Sequence, residues 1–285
     1  MAGVVKGGVA VVTGGATGIG FALARQLADR GMKVILASTN RERLDKAVAA
    51  IRAEGGTAFA EVCDVTDRAA VRALAARVEQ EHGPVDLLCA NAGGTTTGTY
   101  LEHDDGDWDW SIDVNLRGAT NSLQAFYPAM AERGSGHIVL TGSQTAYAPD
   151  WVLQHGPYVA AKAAVHTLVF TMRQEAAERG VALSLLVPAG TDTEVLKGQR
   201  SRPDRYGSAR EGGLRMGENL PELGTEGLWL SADEVARRAI VGIDANLPVI
   251  ITHPAMRPLV KHYFDRILAA YDTAAEAAIA AGQPA

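Results

Sequence analysis

Ser143, Tyr158 and Lys162 are the residues of this chain whose types and spacing most directly suit chemistry. Tyr158 and Lys162 stand four apart, which puts two side chains on one face of a helix. A phenol titrates near pH 10 and is a poor proton donor or acceptor at neutral pH. A nearby ammonium favours the phenolate and lowers that value. With the hydroxyl of Ser143 brought up by the loop between them, the set suits moving a proton onto or off a substrate oxygen. Pro157, just before Tyr158, marks the start of the helix that must carry the pair.

That helix, predicted over 157–179, is one of a series. Short β-branched runs at 8–13, 33–38, 57–62, 85–90, 137–141, 181–187 and 247–252 read as strands. Stretches at 19–30, 41–53, 67–82, 105–133 and 254–281 read as helices, Asp67 standing near the start of its own. A further helix starts at Ser231, with Glu234 completing a capping box. Strands that are continuous apolar runs are buried on both faces. Strand–helix alternation therefore predicts an α/β fold: a doubly wound (Rossmann) parallel sheet of about seven strands, with ligands at the carboxyl ends of the strands. Residues 1–285 read as a single domain. The stretch 194–230, rich in Gly, Arg, Pro and Glu, lacks periodicity and follows a strand end, so it is expected to be a substrate lid.

The composition narrows the function. The chain has 285 residues, 47% hydrophobic and 21% charged, with a net charge of −6. Its charges are interspersed, which argues against nucleic acid as a partner. No run of eighteen apolar residues suggests a membrane span. The apolar N-terminus runs into a glycine turn without a cleavage-site pattern, so a cytoplasmic location is expected. Cys63 and Cys89 read as buried small hydrophobes. The seven histidines show no metal-ligand spacing.

Between the first strand and the first helix lies TGGATGIG (13–20). Glycine permits a tight turn and a close backbone approach to a pyrophosphate, and the helix N-terminus directs unpaired N–H groups at that anion. In this position the turn reads as a nucleotide-binding loop.

Together these motifs resemble the classical short-chain dehydrogenase/reductase family over nearly the whole chain. Thr13, Gly14, Gly18 and Gly20 match its glycine pattern, with Thr17 and Ile19 inside the turn. Asp64, followed by Val65, matches its acidic contact to adenine, and Asn91, Ala92 and Gly93 match its Asn-Ala-Gly. Asn115, Ser143, Tyr158 and Lys162 match its catalytic set. After the sixth strand the family's Pro-Gly is replaced by Pro188-Ala189-Gly190, followed by Thr191 and by Thr193 in the place of the nicotinamide contact. The gap from Ser143 to Tyr158 is longer than the family pattern, so the loop with Trp151 and His155 is expected to be remodelled.

The resemblance implies reversible hydride transfer between a nicotinamide cofactor and a secondary alcohol or ketone. Tyr158 is expected to transfer the proton, and Ser143 to fix the substrate oxygen. Lys162 is expected to bind the nicotinamide ribose and favour the phenolate. Asn115 is expected to bend its helix and hold a water linking Lys162 to solvent. The second strand ends in Ser38, Thr39, Asn40 and Arg41, without the carboxylate that would bind the 2′-hydroxyl of NAD, so NADP(H) is favoured and NAD(H) is the alternative.

Gln144, Trp151 and His155 are candidates for the substrate pocket. Trp108 and Trp110 read as packing residues, and the acidic run 102–110 as a loop and helix start. The arginines at 200, 202, 205, 210 and 215 read as solvated, with attraction of an anionic substrate as the alternative. The rival functional readings are an epimerase or dehydratase on the same fold, and a nucleotide-binding regulator without turnover. A homodimer or homotetramer is expected, through the helices at 105–133 and 157–179.

Overall fold

The computed structural model describes residues 6–193, 201–208, 212–218, 220–222 and 227–280. Arg200, Arg210 and parts of the expected lid lie outside the described residues, as do the first five residues and residue 281 of the last expected helix.

Seven parallel strands form one sheet: β1 (Val9–Thr13), β2 (Lys33–Ser38), β3 (Thr57–Val62), β4 (Val85–Ala90), β5 (Gly136–Thr141), β6 (Val181–Val187) and β7 (Val249–Ile251). Their spatial order is β3-β2-β1-β4-β5-β6-β7. The order reverses between β1 and β4, the switch point where doubly wound sheets bind ligands. The register levels the carboxyl ends, pairing Thr13 with Ala37 and Ala90, and Thr141 with Leu186.

Because successive strand residues face opposite sides, the sheet builds two cores. Val11, Ile35, Leu88, Leu140 and Leu185 face helices α3 (Arg68–His82), α5 (Gly118–Arg133) and α6 (Gly156–Glu178). Val12, Leu36, Leu87, Cys89 and Leu186 face α1 (Gly18–Asp29), α2 (Arg41–Ala53) and α7 (Ala232–Asp244). Cys63 and Cys89 are free and buried, and burial pushes their thiols up to about 11 and about 12.

The helix expected over 105–133 is three pieces: α4 (Asp105–Ile112), a π-helical turn (Asp113–Arg117) and α5. A 24-residue helix, α8 (Arg257–Ala280), closes the described chain. Among the described residues no helix is long and apolar enough to cross a membrane.

The capping box at α7 is half made. The Ser231 side chain accepts from the Glu234 N–H at 3.1 Å, but the Glu234 carboxylate is drawn to Arg237 and Arg238. The acidic run 102–110 does start a helix, with Asp104 and Asp107 forming a reciprocal box at α4.

Candidate active site

The site is assembled from loops that follow the strand ends and from the helices that carry Asn115, Tyr158 and Lys162. After β1, Gly14 and Gly18 take positive φ values of 66° and 57°, which side chains resist. A Cβ on Gly14 would lie 2.9 Å from Ala92 Cα. Thr17 precedes α1 without a side-chain cap, so the first N–H groups of that helix keep no side-chain partner. This cradle fits a pyrophosphate. Thr13 ties β1 to the next loop: its hydroxyl accepts from the N–H groups of Asn91 (3.0 Å) and Ala92 (3.1 Å).

One cavity runs across these ends. Of the expected cofactor residues, Gly14, Thr17, Gly18, Ile19, Ser38, Thr39, Asp64, Val65, Asn91, Ala92, Gly93, Tyr158, Lys162, Pro188, Thr191 and Thr193 line it. Gly20, Asn40, Arg41 and Gly190 do not. Gly20 is a packing glycine whose Cβ would meet the Gly14 carbonyl at 2.3 Å. Asn40 caps α2, accepting from the Arg43 N–H at 2.9 Å. Arg41 pairs with Asp45 at 2.9 Å, one turn along the same helix. Gly190 sits in a short ladder with Trp229 and lines a second cavity instead.

Asn115, Ser143, Tyr158 and Lys162 meet in the first cavity. Asn115 is 1% exposed and lies in the π-helical turn. Its amide donates to the carbonyls of Gly94 (2.8 Å) and Ser111 (2.9 Å). In an α-helix the Ser111 carbonyl would accept the backbone N–H of Asn115, so the side chain takes over that bond where the helix widens. Both amide hydrogens are thereby spent on the backbone. Gly93 fits between Asn115 and Lys162: a Cβ there would lie 2.6 Å from Asn115 Oδ1 and 3.4 Å from Lys162 Nζ.

Lys162 is 3% exposed, and its ammonium donates to the Thr141 carbonyl at 2.7 Å. Burial pushes it down to about 8. Its Nζ lies 5.7 Å from the centre of the Tyr158 ring. The acidified phenol expected from the sequence is not what this geometry provides. Burial raises the Tyr158 phenol above its ordinary value, and the hydrogen bond to the Ser143 side chain only offsets part of that rise. Removing water penalises the phenolate, and here that effect outweighs what favours the charged form.

Ser143 Oγ bonds Thr145 Oγ1 at 2.8 Å, and the Ser143 N–H donates to His166 Nε2 at 3.1 Å. His166 was not among the expected site residues, although it lies four residues beyond Lys162 on the same helix face. Thr141, the last residue of β5, was also not foreseen.

The second cavity, of about 570 Å3, is lined mostly by apolar side chains. Trp151 and His155 line it; Gln144 lines neither cavity. Gln144 is 1% exposed, because its short 3-10 turn points it into the protein. Ser143, Tyr158, Ala189 and Thr191 line both cavities and so stand at their junction.

Of the described arginines of the expected lid, Arg205 and Arg215 are exposed as expected and Arg202 is not. Arg202 is buried rather than solvated: its guanidinium pairs with the buried Asp107 and donates to the Tyr206 carbonyl. Arg205 donates to Asp64 Oδ2 at 3.0 Å and to Thr66 Oγ1 at 2.7 Å. The Tyr206 hydroxyl donates to Asp113 at 2.8 Å. Arg215 is exposed beside Glu218.

A doubly wound sheet, an uncapped helix end at the switch point and a Ser–Tyr–Lys cluster beside it define a dinucleotide-binding oxidoreductase. The family model for short chain dehydrogenases matches residues 8–204, and the chain belongs to that family. It is 32% identical to a C alpha-dehydrogenase of a Sphingobium species, over 91% of this chain and 85% of that one. It is 35% identical to the 2,3-dihydro-2,3-dihydroxybenzoate dehydrogenase of Bacillus subtilis, over 67% of this chain and 72% of that one. The fold superposes on a short-chain dehydrogenase/reductase from Burkholderia phymatum in complex with NAD, with a TM-score of 0.81 and 31% identity over 92% and 94% of the two chains. A short-chain dehydrogenase from Sphingobium yanoikuyae in complex with NADPH matches with a TM-score of 0.71 and 26% identity, over 94% and 95%.

Proposed function

We propose that this oxidoreductase interconverts a secondary alcohol and its ketone, with NADP(H) preferred over NAD(H). The observation that carries the reading is the junction: Ser143 and Tyr158 line both the strand-end groove and the apolar cavity. A substrate oxygen at that junction lies within reach of two hydroxyls, while its carbon faces the groove.

When bound, the nicotinamide ring supplies or takes up the hydride. The protein does the rest. In the reducing direction the Tyr158 hydroxyl donates its proton to the carbonyl oxygen, which takes on the C=O π pair as a hydride adds to carbon, and the phenolate is left behind. Ser143 donates a hydrogen bond to the same oxygen and stabilises its developing charge. Lys162 is held by Thr141 with N–H groups left for the ribose hydroxyls, and its positive charge favours the phenolate that remains. Asn115 shapes the helix that carries it past Gly93. The described parts of 194–230 act as a lid, since Ser201 and Pro203 wall the groove while Leu214 and Leu228 wall the cavity.

Two observations support NADP(H). Ser38 and Thr39 line the groove at the end of β2, and among the described lining residues the one carboxylate is Asp64, after β3. Initial rates on a panel of ketones, followed by nicotinamide absorbance, test both parts. A higher kcat/KM with NAD than with NADP would remove the cofactor preference. No turnover of any ketone or alcohol with either dinucleotide would remove the reaction.

We also propose a homo-oligomer assembled through α4–α5 and α6, where Phe170 stands 53% exposed. Size-exclusion chromatography giving a monomer would refute it.

A further inference from the structure

We infer that the second cavity selects alcohols or ketones carrying a large apolar group on the reacting carbon, and that it disfavours a charge at the far end of that group. This rests on the hydride-transfer reading and adds the substrate class. The cavity is of a size that holds a drug-sized molecule. Two of its polar members stand at the catalytic end: Thr145 is bonded to Ser143, and the His155 ring stacks on Tyr158 with centroids 5.8 Å apart. Burial pushes His155 down to about 4, so it brings no charge at neutral pH. Away from that end the wall is Trp151, Leu220, Leu228 and Leu259. At the rim Leu214, Met216 and Trp229 are 38%, 57% and 66% exposed while lining the same cavity. Apolar side chains left open to water around a concave space gain free energy when an apolar body covers them.

The test is a series of unbranched methyl ketones from 2-butanone to 2-decanone, with 7-oxooctanoate as the charged match of 2-octanone. Each added methylene is expected to raise kcat/KM about threefold to fourfold until the cavity is filled. The carboxylate compound is expected to be at least about tenfold poorer than 2-octanone, because a charge does not enter an apolar cavity unpaired. Met216→Lys is expected to flatten the chain-length dependence. A flat series, or a carboxylate compound equal to 2-octanone, overturns the proposal even if all the ketones react. If none reacts, the dehydrogenase reading fails separately. Calorimetric titration of the same compounds then has to show the same order of affinity for the cavity assignment to stand.

A second inference comes from a different contact: we propose that His166 is a positioning residue for Ser143. The Ser143 N–H donates to its Nε2, and the ring packs so tightly on the strand end that a Cβ on Gly142 would lie 2.3 Å from that nitrogen. Tyr147 holds the ring from the side, with centroids 4.5 Å apart. With the N–H on His166 and Oγ on Thr145, the serine is held at both ends. His166→Leu removes the acceptor and is expected to lower kcat roughly 10- to 100-fold while leaving the dissociation constant for the dinucleotide unchanged. His166→Gln, whose amide oxygen reaches the same N–H, is expected to restore kcat to within about threefold. Wild-type kcat in His166→Leu, or equal losses in both variants at normal melting temperature, overturns the assignment. Should His166→Leu not fold, His166→Asn, with an amide too short to reach, takes its place under the same criterion.

Discussion

The ammonium of Lys162 is bonded to the carbonyl of Thr141, at 2.7 Å, and not to the phenol of Tyr158. The strand end holds the lysine in place, while the Ser143 side chain offsets part of the rise that burial imposes on the Tyr158 phenol. The phenol and the ammonium are thus held by different residues, Ser143 and Thr141, at the end of the same strand. Substitutions should therefore separate chemistry from binding.

Tyr158→Phe removes the proposed proton donor and leaves Lys162 on Thr141. Dinucleotide binding, read by fluorescence titration, should stay within about threefold of wild type. Turnover should fall about a thousandfold, in the range that a general acid supplies. Turnover near wild type would take Tyr158 out of the mechanism.

Folding stability should fall in acid. Burial pushes His137, His155 and His166 each down to about 4, well below the ordinary histidine value. Between about pH 6.5 and 4 the unfolded chain therefore binds protons that the folded chain refuses, and stability is lost as the pH falls through that window. At pH 5 the loss should be roughly 1–2 kcal/mol per histidine relative to pH 7. Lys162, pushed down to about 8, has the same sign at the other end: stability should rise as the pH climbs from about 8 towards the ordinary lysine value. Urea midpoints across the pH range read both limbs, and a midpoint unchanged between pH 7 and 5 would contradict the first.

On the proposed reading, Ser38→Asp places a carboxylate beside the 2′-phosphate of NADP. The ratio of kcat/KM for NADP over NAD should drop at least about tenfold, equivalent to about 1.4 kcal/mol of discrimination. Arg41 is already paired with Asp45 at the surface, so Arg41→Ala should change either constant by less than about threefold. A larger loss with NADP alone would show that Arg41 leaves Asp45 for the phosphate.

Arg205 occupies one oxygen of Asp64, and Thr66 occupies the other. An adenine amino group at Asp64 has to compete with Arg205. The pair is partly exposed, so its worth is about 0–1 kcal/mol. Arg205→Ala should accordingly tighten dinucleotide binding, by up to about fivefold. Weaker binding by titration calorimetry would mean that the arginine grips the ligand instead.

Much of this molecule is legible in its sequence. β2, α2, β3, β4 and β6 fall on the expected residues, because their apolar runs and helix caps are local signals. The glycine turn, the Asn-Ala-Gly loop and Ser143 come together because each follows a strand end of one level sheet, and Tyr158 and Lys162 join them from α6. His166 carried a signal too, its spacing from Lys162, but a lone histidine on a helix is most often a packing residue.

The order of elements, and with it the site at the switch point, was determined by the sequence alone, since hydrophobic periodicity and turn chemistry act over a few residues. Three matters were decided only by tertiary structure. The lid arginines find Asp107 and Asp64 from 95 and 141 residues away. The second cavity is walled by side chains from Thr95 to Leu259. The ionisation of Tyr158 and Lys162 turns on how much water the surrounding elements exclude. Such contacts depend on where distant segments dock, and desolvation depends on everything packed around a group; neither leaves a trace in local spacing.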